Sequence, residues 1–149
     1  MNRELLYDED VYEKCLQRID ALTPETRPQW GVMSAGQMLS HCAEIQEVSN
    51  GKALEGTPFI VRLLGGFIRK MVVSDKPYPR STKTHPQYLQ TTEKDFATER
   101  ERLLTALEAF RAAEHGPATR HAIFGELSHD EKGWASYKHL DHHLTQFGV

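Results

Sequence analysis

The sequence is poor in features typical of secreted or disulfide-stabilised proteins. Among 149 residues it has only two cysteines, Cys15 and Cys42, too few for a disulfide framework and compatible with a reduced cytoplasm. With 39% apolar residues, a chain of this length can bury a sufficient core without cross-links. Its N-terminus has no apolar run behind a basic start, so we expect no secretory signal. We therefore expect one cytoplasmic domain over residues 1–149.

An excess of positive charge is also missing. The net charge is −3, with 18 Lys and Arg against 21 Asp and Glu. Binding to nucleic-acid phosphates usually requires clustered basic residues in excess. We therefore expect no nucleic-acid partner.

The chain also lacks an apolar run long enough to cross a bilayer. Its most apolar stretch, residues 59–73, contains Arg62, Arg69 and Lys70, so it is both too short and too charged to span. One interpretation is a helix that lies on a membrane surface or forms a dimer. We favour the other, a short helix laid over the protein within a long crossover connection.

Apolar residues recur with the period of an α-helix, and no segment shows a convincing strand pattern. The pattern predicts an all-α fold with four long helices: one between residues 8–10 and Thr23-Pro24, one over 35–49, one following Thr92 and ending by Gly116-Pro117, and one after residue 128. Capping boxes mark the start of two of them, Ser34 with Gln37 and Ser128 with Glu131.

Three of the eight histidines lie together near the end of the chain, in KHLDHHLTQFGV. At about 100° per residue, His139 and His143 point within about 40° of each other, so both can reach one ion. His142 lies about 100° from His143 and away from the apolar stripe, so we expect it in solvent or beyond the ligand shell. An HxxxH pair alone is also common among surface and core histidines.

A third histidine, His41, lies about 60° from the centre of the apolar stripe of the second helix. A lone histidine there is more often a hydrogen-bonded core residue than a ligand. Together with the HxxxH pair, however, it would complete three ligands from two helices, which is what a divalent ion needs when it keeps positions open for water or substrate.

Two segments resemble a known family: WGVMSAGQMLSHCAE around His41 and HAIFGELSHDEKGWASYKHLDHHLTQFGV at the end. They resemble the DinB-like (DinB/YfiT-like) superfamily of proposed metalloenzymes, and within it a bacterial branch of unknown function. The resemblance implies a four-helix bundle in up-down-down-up order, a long crossover with a short extra helix, and often a homodimer. The superfamily's metal triad carries over onto His41, His139 and His143. An H-x-x-F-G element also matches at His121, although Ala122 follows where the branch usually has proline.

Three functions remain open. The first is a divalent-metal-dependent enzyme, either a hydrolase or a transferase or isomerase of low-molecular-weight thiols, acting on a small-molecule substrate. The second is a non-catalytic bundle that binds a metal or small molecule, and the third is a metal-free bundle with hydrogen-bonded imidazoles. Three imidazoles suit several ions, of which we favour zinc or nickel. Glu44, His142 and His121 are candidates for positions beyond the ligands; Glu44 would orient His41 or, alternatively, be a solvated carboxylate.

Overall fold

Helices make up most of the part of the chain that the structure describes, residues 3–149 of a computed structural model. Met1 and Asn2, which open the N-terminal stretch and the predicted domain, lie outside that part. The elements are α1 (Glu9–Asp20), α2 (Ala35–Ser49), α3 (Phe59–Leu63), α4 (Gly65–Val73), a 3-10 helix (Pro86–Tyr88), α5 (Phe96–Ala112), β1 (Arg120–His121), β2 (Gly125–Glu126) and α6 (His129–Gln146). The predicted mainly helical fold is confirmed.

Capping residues determine where the long helices begin. The Ser34 hydroxyl accepts a hydrogen bond from the backbone N–H of Gln37, and the Gln37 side chain accepts one from the N–H of Ser34. Ser128 and Glu131 repeat this box at the start of α6. Both predicted boxes are confirmed, and α2 covers the predicted residues 35–49. α5 begins later than Thr92 because the Asp95 carboxylate caps its first turn.

The core lies between the long helices. α2 packs along α5 and α6, and α1 packs on α6. The apolar stripes predicted from the helical period contribute many of the buried apolar side chains, including Ile19, Met38, Leu103, Leu107, Phe110, Leu140 and Leu144. Gly36 permits the close approach of α2 to the chain before α5, because a Cβ there would clash with the carbonyl oxygen of Lys94.

The connection between α2 and α5 differs from the prediction of one short helix. It contains two helices, which meet at Leu64, and then the 3-10 helix. A second difference is the antiparallel hairpin of β1 and β2, in which His121 pairs with Gly125. Strands of two residues are too short to produce the alternation by which strands are recognised.

None of the helices in residues 3–149 combines the length and apolar character required to cross a bilayer.

Two side chains of α6 hold α4 in place. The ammonium group of Lys138, which is buried, donates to the carbonyl oxygens of Met71 at 2.8 Å and Ser74 at 2.9 Å. The indole N–H of Trp134 also donates to the Ser74 carbonyl. The last carbonyls of a helix lack partners within the helix and are stabilised by a cation. α6 therefore fixes the C-terminal end of α4 beside the histidines that α6 itself carries.

Candidate metal centre

The structure brings three distant histidines together. α2 provides His41, and α6 provides His139 and His143 one turn apart. The Nε2 atoms of His41 and His139 are 3.4 Å apart although the residues are 98 positions apart in the chain. Each of the three residues offers one ring nitrogen, and these nitrogens all lie within 4.8 Å of one another. This group could therefore bind a metal ion.

Hydrogen bonds at Nδ1 orient two of the rings. His41 Nδ1 lies 2.9 Å from the carbonyl oxygen of Tyr88, which can only accept, so the proton of the neutral ring is on Nδ1. His143 Nδ1 lies 2.8 Å from the amide oxygen of Gln146. The amide nitrogen of Gln146 donates to the carbonyl of Trp30 at 2.8 Å, which leaves the oxygen to accept from His143. In both rings Nε2 therefore keeps its lone pair, as a metal ligand requires.

Burial keeps all three imidazoles neutral at neutral pH. It lowers the pKa of His143 from the ordinary 6.5 to about 3, and it lowers the pKa of His139 well below 6.5. Burial also lowers the pKa of His41, although the hydrogen bond to the Tyr88 carbonyl acts in the opposite direction. Mutual repulsion between the protonated rings adds to the effect at His139 and His143. Because protons compete poorly for these nitrogens, they are available to an ion even below pH 6.5.

The three histidines form part of the wall of a cavity of about 810 Å³. Much of the remaining wall is apolar and comes from α3, α4 and the β-hairpin, including Val61, Ile68, Met71, Val72 and Phe124. In residues 3–149 the group that could bind an ion contains no Cys, Asp or Glu. Cys42, the neighbour of His41, points into the core, where its thiol donates to Met38 Sδ at 3.7 Å. An ion held by these three histidines would have an open side facing the cavity.

Glu44 does not orient His41. Its carboxylate binds Lys52, Gln87 and Arg102, because it faces α5 and the loop after α2. Burial raises the pKa of this carboxyl, but the hydrogen bonds outweigh burial and hold the pKa below its ordinary value. The carbonyl of Tyr88 takes the position at His41 for which Glu44 was a candidate. Glu44 reaches this part of the structure only indirectly, because it accepts a hydrogen bond from Gln87, the residue before Tyr88.

His142 and His121 lie in the cavity wall outside the three-histidine group. The His142 ring is half-buried and meets the rings of Trp30, Tyr78 and His143 edge to face, rather than standing in solvent. His121 stacks on Phe124, and its Nδ1 accepts the backbone N–H of Ile123 at 3.1 Å. Burial lowers the pKa of His121 to about 4. His121 is therefore a neutral ring whose proton is on Nε2.

Sequence reasoning missed the groups that orient the ligands. Gln146 lies three residues after His143 on one helix, a spacing at which side chains meet, so the sequence contained a signal for it. Tyr88 acts through its backbone carbonyl, and its side chain therefore gave no signal. His85 was also missed; it lies in the cavity wall, and its Nδ1 accepts the backbone N–H of Gln87 at 3.1 Å.

We expect the stability of the metal-free protein to depend on pH through the buried histidines. The unfolded chain takes up a proton at His143 near pH 6.5, whereas the native protein does so only near pH 3. The stability contributed by the neutral ring is complete above pH 6.5 and is lost as the pH falls toward 3. Urea unfolding in this range should show a loss of up to about 1.4 kcal/mol per pH unit for each such histidine.

His143→Gln should flatten this pH dependence, because the titrating group is gone. His115→Gln is the matched control, since the His115 side chain is 88% exposed, and its curve should run parallel to that of the unmodified protein. Parallel curves for all three proteins would show that His143 does not titrate as its burial implies.

The comparisons with known proteins correct the family resemblance. No curated protein and no solved structure matches the chain. A family model matches residues 1–148, but it is not a DinB-like model, so the resemblance to the DinB-like superfamily was wrong. The homodimer and the up-down-down-up order lose the support of that resemblance, and the metal hypothesis rests on geometry alone. The chain belongs to the family described as protein of unknown function, DUF1569.

Proposed function

We propose that the protein is a divalent-metal-dependent enzyme in which His41, His139 and His143 bind one ion. The observation that carries the proposal is the convergence of three neutral imidazoles within 4.8 Å in the wall of a large cavity. Burying a polar ring costs free energy unless its nitrogens have partners. Here two of the rings are held by hydrogen bonds that direct the proton to Nδ1.

We propose zinc or nickel as the ion, and the spacing of one pair of nitrogens fits a tetrahedral zinc site. In a tetrahedral zinc site, nitrogens about 2.1 Å from the ion lie about 3.4 Å from one another. The Nε2 atoms of His41 and His139 are 3.4 Å apart. Neutral imidazoles suit both metals, so the ion bound in the cell also depends on supply.

A catalytic ion keeps a coordination position open, whereas a structural ion is usually closed by a fourth protein ligand. The three histidines and the adjacent cavity match the open arrangement. A bound divalent ion would lower the pKa of a water or thiol and so supply an anionic nucleophile near neutral pH. We therefore propose a hydrolase, or a transferase or isomerase of low-molecular-weight thiols.

The cavity wall supports a small, largely apolar substrate with at least one polar group. The apolar side chains of α3, α4 and the hairpin would pack on its body. His121 would supply a fixed hydrogen-bond donor, because the backbone N–H of Ile123 occupies its Nδ1 and leaves the proton on Nε2. This role replaces the earlier candidacy of His121 as a residue next to the metal.

For the fold, we propose a single domain in which α1, α2, α5 and α6 form a four-helix bundle. The packing of α2 against α5 and α6, and of α1 against α6, supports this arrangement. The alternative function is a non-catalytic metal-binding or small-molecule-binding bundle. It is favoured because no Asp or Glu of residues 3–149 lines the cavity, so no carboxylate there could act as a general base.

Metal should stabilise the native protein, because the unfolded chain has no preformed site. At a free concentration 100-fold above Kd, an ion adds about 2.7 kcal/mol to the free energy of unfolding. Thermal melts of protein purified without a histidine tag, with added zinc or nickel and after chelation, measure this gain. His41→Gln should abolish it, whereas His121→Gln should retain it. Identical melting curves with and without metal for the unmodified protein would exclude a metal site.

Gln146 should position His143 for the ion. Gln146→Leu removes the acceptor at Nδ1 and should weaken metal binding about 10- to 100-fold, measured by competition with a chelating dye. Gln146→Glu restores an acceptor and should recover most of the affinity. Gln17→Leu, at an exposed position of α1, is the matched control and should bind as the unmodified protein does. Unchanged affinity in Gln146→Leu would remove Gln146 from the site.

Turnover should distinguish an enzyme from an inert bundle. We expect the metal-loaded protein to turn over a substrate in at least one of two panels, thiols with an electrophile or apolar esters and amides. His139→Ala should lose that activity, because the ion is no longer held. A site that binds metal tightly but turns over neither panel would favour the non-catalytic alternative.

A further inference from the structure

Large apolar side chains are exposed on one surface of α3 and α4. We call this the α3–α4 surface, and it consists of Phe59, Ile60, Leu63, Leu64 and Phe67, which are 74%, 59%, 64%, 47% and 69% exposed. These positions recur every three or four residues, so they share one face across the two helices. Contiguous exposed apolar patches of this kind mark interaction sites rather than ordinary protein surface.

The charges within α3 and α4 are of one sign, although Glu55 and Asp75 lie just outside this segment. Residues 56–74 contain three basic residues and no Asp or Glu, although the whole chain has a net charge of −3. Arg69 forms an ion pair with Glu131 of α6 at 2.8 Å. Arg62 and Lys70 are exposed, so two cations accompany the apolar side chains. A partner that offers apolar groups together with negative charge would complement both features.

The other side of the two helices is already occupied. Val61, Ile68, Met71 and Val72 are part of the cavity wall. Gly65 lies against the hairpin, since a Cβ there would come 2.8 Å from the carbonyl oxygen of Ile123, and Lys138 holds the end of α4. Of the five residues of the α3–α4 surface, Ile60 also reaches the cavity wall. Phe59, Leu63, Leu64 and Phe67 are therefore not core residues that could turn inward, because other side chains already cover the inner side.

We propose that the α3–α4 surface docks on an anionic membrane. A short amphipathic element with an apolar face and flanking cations binds at the interface between lipid headgroups and acyl chains. Helices of five and nine residues lie on a bilayer rather than cross it. A symmetric dimer through the same surface fits less well, because it would place Arg62 and Lys70 near the same cations of a second copy.

Docking has a consequence for the cavity. The outer side of α3 and α4 would contact lipid while the inner side lines the cavity beside the histidines. An apolar substrate dissolved in the membrane would then have a short path to the site. This consequence rests on the proposed function, whereas the docking itself does not require a metal or a reaction.

Co-sedimentation with vesicles tests the proposal. The full chain, with and without zinc, is mixed with vesicles of phosphatidylcholine alone or of phosphatidylcholine with phosphatidylserine. We expect binding to the anionic vesicles, weakened by salt and independent of zinc. The double variant Leu63→Ser with Phe67→Ser should lose at least about tenfold in affinity. The double variant Arg62→Glu with Lys70→Glu keeps all the apolar residues and should nevertheless lose binding to anionic vesicles.

Val32→Ser is the matched control, because Val32 is 98% exposed but lies outside the α3–α4 surface, and it should bind like the unmodified protein. His41→Gln should also bind, so failure of the metal site is distinguishable from failure of docking. Circular dichroism checks that each variant keeps its helices. No binding to anionic vesicles, or equal binding of the Leu63→Ser, Phe67→Ser variant, overturns the proposal. The proposal is also overturned if the unmodified protein does not bind vesicles and instead forms a dimer that the Leu63→Ser, Phe67→Ser variant dissociates.

Discussion

The packing of α2 against α6 is the constraint on which the candidate site depends. It places His41 beside His139 and His143 in surroundings where a charged imidazole is poorly solvated. Burial of a polar ring is unfavourable unless its nitrogens have partners. The carbonyl of Tyr88 and the amide of Gln146 supply partners on one side of two rings. Their Nε2 atoms keep lone pairs that could coordinate an ion.

α6 serves three parts of the molecule through neighbouring residues. Lys138 reaches the end of α4, His139 belongs to the three-histidine group, and Leu140 is in the core. Successive residues of a helix point about 100° apart, so three adjacent positions can face three different surroundings. The site, the cavity wall and the core are consequently coupled through a single rigid element.

Local features of the fold could be predicted from the sequence because they arise within a few residues. The capping boxes at Ser34 and Ser128 involve side chains three residues apart, and they marked the starts of α2 and α6. The one-turn spacing of His139 and His143 follows from the helical period in the same way. The family resemblance had no such local physical basis, and the family model overturned it.

The sequence by itself determined the four long helices, their apolar faces and which histidines share a helix face, since periodicity and capping operate over one or two turns. Only the tertiary structure decided that Tyr88, 47 positions from His41, supplies its carbonyl to that ring. The same holds for Glu44, which pairs with Arg102 of α5, 58 positions away. Such contacts depend on how the helices pack and where the loops run, and no pattern within a single helix contains that information.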